Sequence, residues 1–287
     1  MAITTRRRGG LRLALLLLMA AAAIAVIVLF KEKPDETPGT RTQVPEMSAA
    51  ELANATAADF RREIRQRAAL DACYKKIGDN LDAYPRELLV LALKNSEAAQ
   101  FVADYPERIG RRYTAGKIDV SGELKDGELP YFIQWDERWG YAAYGSGIMG
   151  LSGCGPTCLA MVAAGLTGNA AANPLAVADY SSAQGWYVEG YGTEWELMRS
   201  GAAYFGLRWR ELPLDADRMC AALDGGEPII ASMGPGDFTD SGHYIVLRGY
   251  TSDGFRVLDP NSPDNTELVW PYSRIKDQIM NLWAYSV

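Results

Sequence analysis

The sequence predicts an α+β fold, a helical lobe followed by a mostly antiparallel β lobe, and three observations carry that reading. Residues 154–166, about 175–184, 194–205 and 215–224 have helical patterns, whereas 228–233, 243–250, 255–259 and 267–270 are strand-like. Ser252-Asp253-Gly254 is a hairpin turn that makes the second and third of those strands antiparallel neighbours. The chain has 287 residues and 48% hydrophobic content, enough to bury one fair-sized core beside extra segments. Its net charge of −7 is uneven, since residues 130–287 hold 18 Asp/Glu against 9 Lys/Arg. A basic nucleic-acid footprint is excluded there, so no nucleic-acid partner is expected.

Taken from the start, residues 1–30 carry Arg6, Arg7, Arg8 and Arg12 and no acid, then an unbroken apolar run over 13–30. As a helix that run spans about 27 Å, close to the ~30 Å hydrocarbon core of a bilayer. We read it as an uncleaved membrane anchor, because the run is longer than a signal-peptide apolar region and ends Val-Leu-Phe-Lys rather than in a small-residue cleavage site. The arginines keep the N-terminus cytoplasmic and place the remainder outside the cell. Secretion after signal cleavage is the alternative.

Residues 31–47 are charged and Pro-rich, a solvated tether. A helical segment over 48–114 follows. Within it Phe60, Ile64, Ala68 and Ala72 at i, i+4 spacing predict one amphipathic helix over 48–76. Shorter helices are expected at 85–94 and 96–104, the latter ended by Tyr105-Pro106. The segment holds no cluster suited to chemistry and reads as a packing or spacer element, with a substrate-positioning or inhibitory cap as the sharper alternative. Residues 115–129 are a connection to the domain at 130–287.

The chemistry centres on Gly153-Cys154-Gly155-Pro156. The two glycines keep the thiol uncrowded, and Pro156 fits a first helical turn. The run Leu159-Ala160-Met161-Val162-Ala163-Ala164 is apolar on all sides and predicts a buried, rigid helix. A thiol at its N-terminus sits at the positive end of the macrodipole, which favours the nucleophilic thiolate. His243 is the sole histidine of the chain and opens a strand after a Gly- and Asp-rich loop, where it would take and return the Cys154 proton. Asp259 ends the strand across the hairpin, placed to orient the ring. Oxyanion donors are the Cys154 backbone N–H and Gln134, which follows an apolar extended run.

Cys73, Cys154, Cys158 and Cys220 are too few for a disulfide framework. Cys158 lies one helical turn from Cys154, and whether the two form a bridge is left open. No cofactor or metal is expected: Cys154, Cys158, His243 and a carboxylate could hold zinc, but the paired Cys-x2-Cys spacing of closed structural sites is missing. The aromatic, glycine-broken stretch from Trp186 to Trp195 is a candidate wall of a substrate groove.

Gln134, Gly153-Cys154-Gly155-Pro156-Thr157, Gly242-His243-Tyr244-Ile245-Val246-Leu247 and Leu258-Asp259-Pro260 occur in the order and context of the C39-like cysteine peptidases, a papain-like group that residues 128–285 resemble. The resemblance implies a papain-like fold with Cys154 as nucleophile, His243 as base and acid, Asp259 as orienter and Gln134 in the oxyanion hole. The best-known members cleave leader peptides after a double glycine and are fused to an ABC transporter. This chain has no nucleotide-binding motif, and its turn reads Gly-Cys-Gly-Pro rather than Asp-Cys-Gly, so leader-peptide specificity is not carried over. The expected function is a membrane-anchored extracellular peptidase or amidase acting on a peptide or protein substrate. The rival is a non-catalytic peptide- or cell-wall-binding module on the same fold.

Overall fold

The computed structural model describes residues 49–190 and 192–287. The expected anchor at 13–30 and tether at 31–47 lie outside the described residues. Among the described residues no helix is long and apolar enough to cross a membrane.

Where one helix over 48–76 was expected, three short ones form: α1 (Ala49–Asn54), α2 (Ala57–Ala68) and α3 (Ala72–Asp79). The breaks are made by capping side chains that the i, i+4 stripe overlooks. Thr56 and Asp59 form a reciprocal capping box at the start of α2, with Thr56 N donating to Asp59 Oδ2 at 2.9 Å. Asp71 caps α3 by accepting from Cys73 N at 2.7 Å. The stripe still faces inward, since Phe60 and Ile64 are buried.

α4 (Arg86–Lys94) follows, then a 3₁₀ turn over Ser96–Ala98 that runs into α5 (Ala99–Arg108). Pro106 was expected to end α5 but lies inside it. So close to the terminus it removes one hydrogen bond, while Ile109 N still closes on Tyr105 O at 2.9 Å.

The apolar run after Cys154 forms α6 (Cys154–Thr167), and every residue from Gly155 to Ala164 is buried, as all-round hydrophobicity requires. α7 (Pro174–Gln184) lies beside it, started by the Asn173 side chain and ended by Gly185 in the left-handed region at φ 75°. The helix expected over 194–205 is instead a π-helical turn at Leu197–Gly201 followed by one α turn at Ala202–Tyr204.

Six strands make one antiparallel sheet: β1 (Arg208–Glu211), β2 (Ile229–Met233), β3 (His243–Thr251), β4 (Gly254–Leu258), β5 (Val269–Trp270) and β6 (Ile279–Ser286), in the order β1-β6-β2-β3-β4-β5. A helix, α8 (Ala216–Asp224), precedes β2. The expected hairpin joins β3 to β4, with Gly254 at φ 146° where a Cβ would strike Trp270 O at 2.3 Å. The strand expected over 267–270 shortens to β5, because Ser262 caps a helical turn at Pro263–Glu267.

Alternation along the strands splits two cores. Ile230, Tyr244, Val246, Leu258 and Trp283 join the core built on α6, while Ile229, Ala231, Ile245, Leu247 and Leu282 join Met219 and Ala222 of α8 on the other face. β2 is covered on both faces, which its continuous apolar run anticipates.

A third core binds the helical segment to the domain, and the described residues form one compact unit. The Phe101 ring stacks on Tyr141 at 4.2 Å and sits so close to Gly140 and Gly150 that a Cβ on either would come within 2.7 Å of it. The segment is therefore packed on the turn that leads into α6, not spaced away from it.

Candidate functional site

Cys154 is the first residue of α6, half-buried, and no side chain caps this helix ahead of it. The flanking glycines have a more specific reason than leaving the thiol uncrowded. A Cβ on Gly153 would meet Met149 O at 2.6 Å, and one on Gly155 would meet Thr193 side-chain atoms at 2.9 Å. Gly155 thus lets the small hairpin of Tyr187–Val188 and Gly192–Thr193 close onto the helix mouth. That hairpin is held by Tyr144 and Tyr244, whose hydroxyls bond Thr193 Oγ1 and donate to Thr193 O, each at 2.8 Å.

His243 opens β3 and Asp259 follows β4, so the hairpin register brings them together: His243 Nε2 lies 2.8 Å from Asp259 Oδ1. With Nε2 so engaged, Nδ1 is the ring nitrogen left for Cys154, which lines the same cleft. Burial pulls the imidazolium down, but the Asp259 carboxylate, its hydrogen bond and the Cys154 contact outweigh it and push the His243 pKa up to about 10.

Asp259 is itself 1% exposed and fully engaged. Oδ1 also accepts from Asn261 N at 2.8 Å, and Oδ2 accepts from Asn265 Nδ2 at 2.8 Å. Its backbone N–H donates to Thr266 Oγ1, and Tyr131 OH donates to its carbonyl. Asn265 and Thr266 were not singled out in the sequence. Their signal was available in Ser262-Pro263, a capped helical start that folds the next turn back over the aspartate.

Gln134 is buried beside the turn before Cys154, with Nε2 donating to Gly150 O at 3.0 Å and its backbone N–H donating to Pro260 O at 2.7 Å. The amide is thus fixed between the Cys154 turn and the Asp259 loop, with one Nε2 hydrogen uncommitted and Oε1 without a partner among the described residues. It is not part of the cleft wall.

Cys158 does not bridge to Cys154. It is a free, buried thiol that donates to Tyr244 O at 3.2 Å, and burial pushes its pKa well up. Among the described residues no group of three His, Cys, Asp or Glu side chains is arranged to hold a metal ion.

Cys154 and His243 open into a cleft of about 1040 Å³. One wall is the helical segment, through Pro85, Glu87, Leu88 and Tyr105, and the other is the glycine-rich hairpin with Tyr187 and Trp195. Trp186, at the start of the same aromatic stretch, turns the other way and packs edge-on against Tyr180 of α7.

A sequence profile of the Peptidase_C39 like family matches residues 127–287, more than half of the chain. The chain belongs to that family. The C39-like domain is similar to two solved structures. One is a C39-like peptidase from Bacillus anthracis, 16% identical with a TM-score of 0.42, covering 56% of this chain and 96% of that one. The other is the peptidase domain of Streptococcus ComA, a bifunctional ABC transporter involved in quorum sensing, 20% identical with a TM-score of 0.38, covering 47% of this chain and 91% of that domain. No curated protein matches.

Proposed function

We propose that this C39-like, papain-like domain is a cysteine peptidase or amidase, displayed outside a bacterial cell on the apolar segment 13–30. The observation that carries the reading is the buried His243 ring, bonded to the Asp259 carboxylate and lining the same open cleft as Cys154 at the mouth of α6. In the proposed reaction His243 Nδ1 accepts the Cys154 proton, and Sγ attacks the substrate carbonyl carbon at the positive end of α6. The N–H of Cys154 is the candidate donor to the oxyanion that forms, while Gln134, expected as the second donor, lies behind the cleft wall and braces the turn before Cys154 through Gly150 O. The imidazolium then protonates the leaving amine, the C–N bond breaks, and a thioester remains. Water, deprotonated by His243, attacks the thioester carbon, and Cys154 leaves as thiolate with the acid product. Asp259 keeps the ring in the required tautomer and stabilises its charged form.

Supporting the anchor are the apolar run itself and the arginines ahead of it. The direct test is hydrolysis of a peptide library by the purified protein beside its Cys154→Ser variant. Cleavage by the wild type and none by the variant is expected. Equal cleavage, or none by either at any peptide, rejects the reading in favour of the binding module.

A further inference from the structure

The cleft wall contributed by the helical segment carries one charged group that the proposed chemistry does not use. Glu87 stands in the first turn of α4, is exposed, and faces the same cleft as Cys154 and His243. Among the described residues it is the one carboxylate on that lining, which otherwise carries neutral hydroxyls such as Ser146, Ser152 and Ser241 beside His243 and Cys154. Its carboxylate makes no ion pair or hydrogen bond with another described side chain.

The cations nearby in sequence are committed elsewhere. Arg86 donates to the carbonyls of Leu52 and Ala55, each at 2.6 Å, and Lys94 pairs with Asp240. An exposed carboxylate on a cleft wall, left without a cation by the described residues, can bind a cation brought by the ligand. The domain around it repeats the sign, with 18 acidic against 9 basic residues over 130–287.

Building on the peptidase reading above, we infer that Glu87 is a specificity-determining residue that selects peptides carrying a lysine or arginine side chain near the bond cleaved. It makes the helical segment a substrate-recognising wall. The acyl chemistry stays on the other elements.

The test uses the full chain and fluorogenic peptides of one backbone, each with Lys, Glu or norleucine, the neutral isostere of Lys, at a single position. At one position the wild type should favour Lys by about five- to tenfold in kcat/KM. Glu87→Gln should bring that ratio close to one, Glu87→Asp should restore part of it, and Glu87→Lys should turn the preference toward Glu. The same peptides titrated onto Cys154→Ser report binding without turnover. A Lys preference that survives Glu87→Gln, or equal binding of Lys and norleucine peptides, overturns the inference. The two readings fail separately. Preferential Lys-peptide binding by a protein whose Cys154 is no more reactive than Cys73 would remove the enzyme and keep the recognition, whereas a reactive Cys154 with no Lys preference would do the reverse.

Discussion

At Gly155 one missing methyl group decides how closely the Thr193 hairpin approaches the thiol. An added Cβ meets backbone-adjacent Thr193 atoms at 2.9 Å, so Gly155→Ala should cost about 1–3 kcal/mol and lower activity, read by denaturant melts and peptide turnover. His243 ties charge to stability. Its pKa is raised above the unfolded value, so its contribution is complete below about pH 6.5 and is lost as pH rises towards about 10. Wild-type stability should therefore fall between pH 6.5 and 9.5 by more than that of His243→Gln, measured by urea unfolding at each pH. Asn265 holds the second oxygen of Asp259, and Asn265→Ala should lower kcat by about 10–100-fold with little change in KM. The pairing of His243 with Asp259 was legible in the sequence, because a two-residue turn fixes which strand ends meet. Asn265 was not, since its helical turn reads as a Pro- and Asn-rich loop until the Ser262 cap is recognised.

Among the elements, the helical segment packs onto the domain, one of the two readings its sequence allowed. Its residues carry no chemistry, which left packing element and spacer both open, because a patch of apolar side chains on α5 does not show what it will cover. Phe101 covers Gly140 and Gly150, Asn95 Nδ2 donates to Asn261 O beside Asp259, and Lys94 reaches the loop before His243. Phe101→Ala should destabilise the protein by about 3–5 kcal/mol, and a fragment starting at residue 115 should fail to unfold cooperatively in a melt. In the sheet, β3 and β4 were legible from turn and alternation. β1 was missed because its Arg-Trp-Arg-Glu residues are all exposed on an edge, and β6 because Leu282, Trp283, Ala284 and Tyr285 are apolar on both faces and show no period.

The whole molecule combines an apolar N-terminal run, an acidic domain and a cleft lined by the helical segment and the domain together. Full-length protein should sediment with membranes and resist high salt, while a chain lacking residues 1–30 should remain in the supernatant. The central claim concerns one sulfur atom and is tested by its reactivity. Timed iodoacetamide labelling at pH 6, followed by peptide mass spectrometry, compares Cys154 with Cys73 and Cys220, whose pKa values are pushed up by burial. Cys154 should react at least about tenfold faster, and His243→Ala should abolish the difference. Equal rates in the wild type, or a fast Cys154 that is indifferent to the loss of His243, would contradict the account.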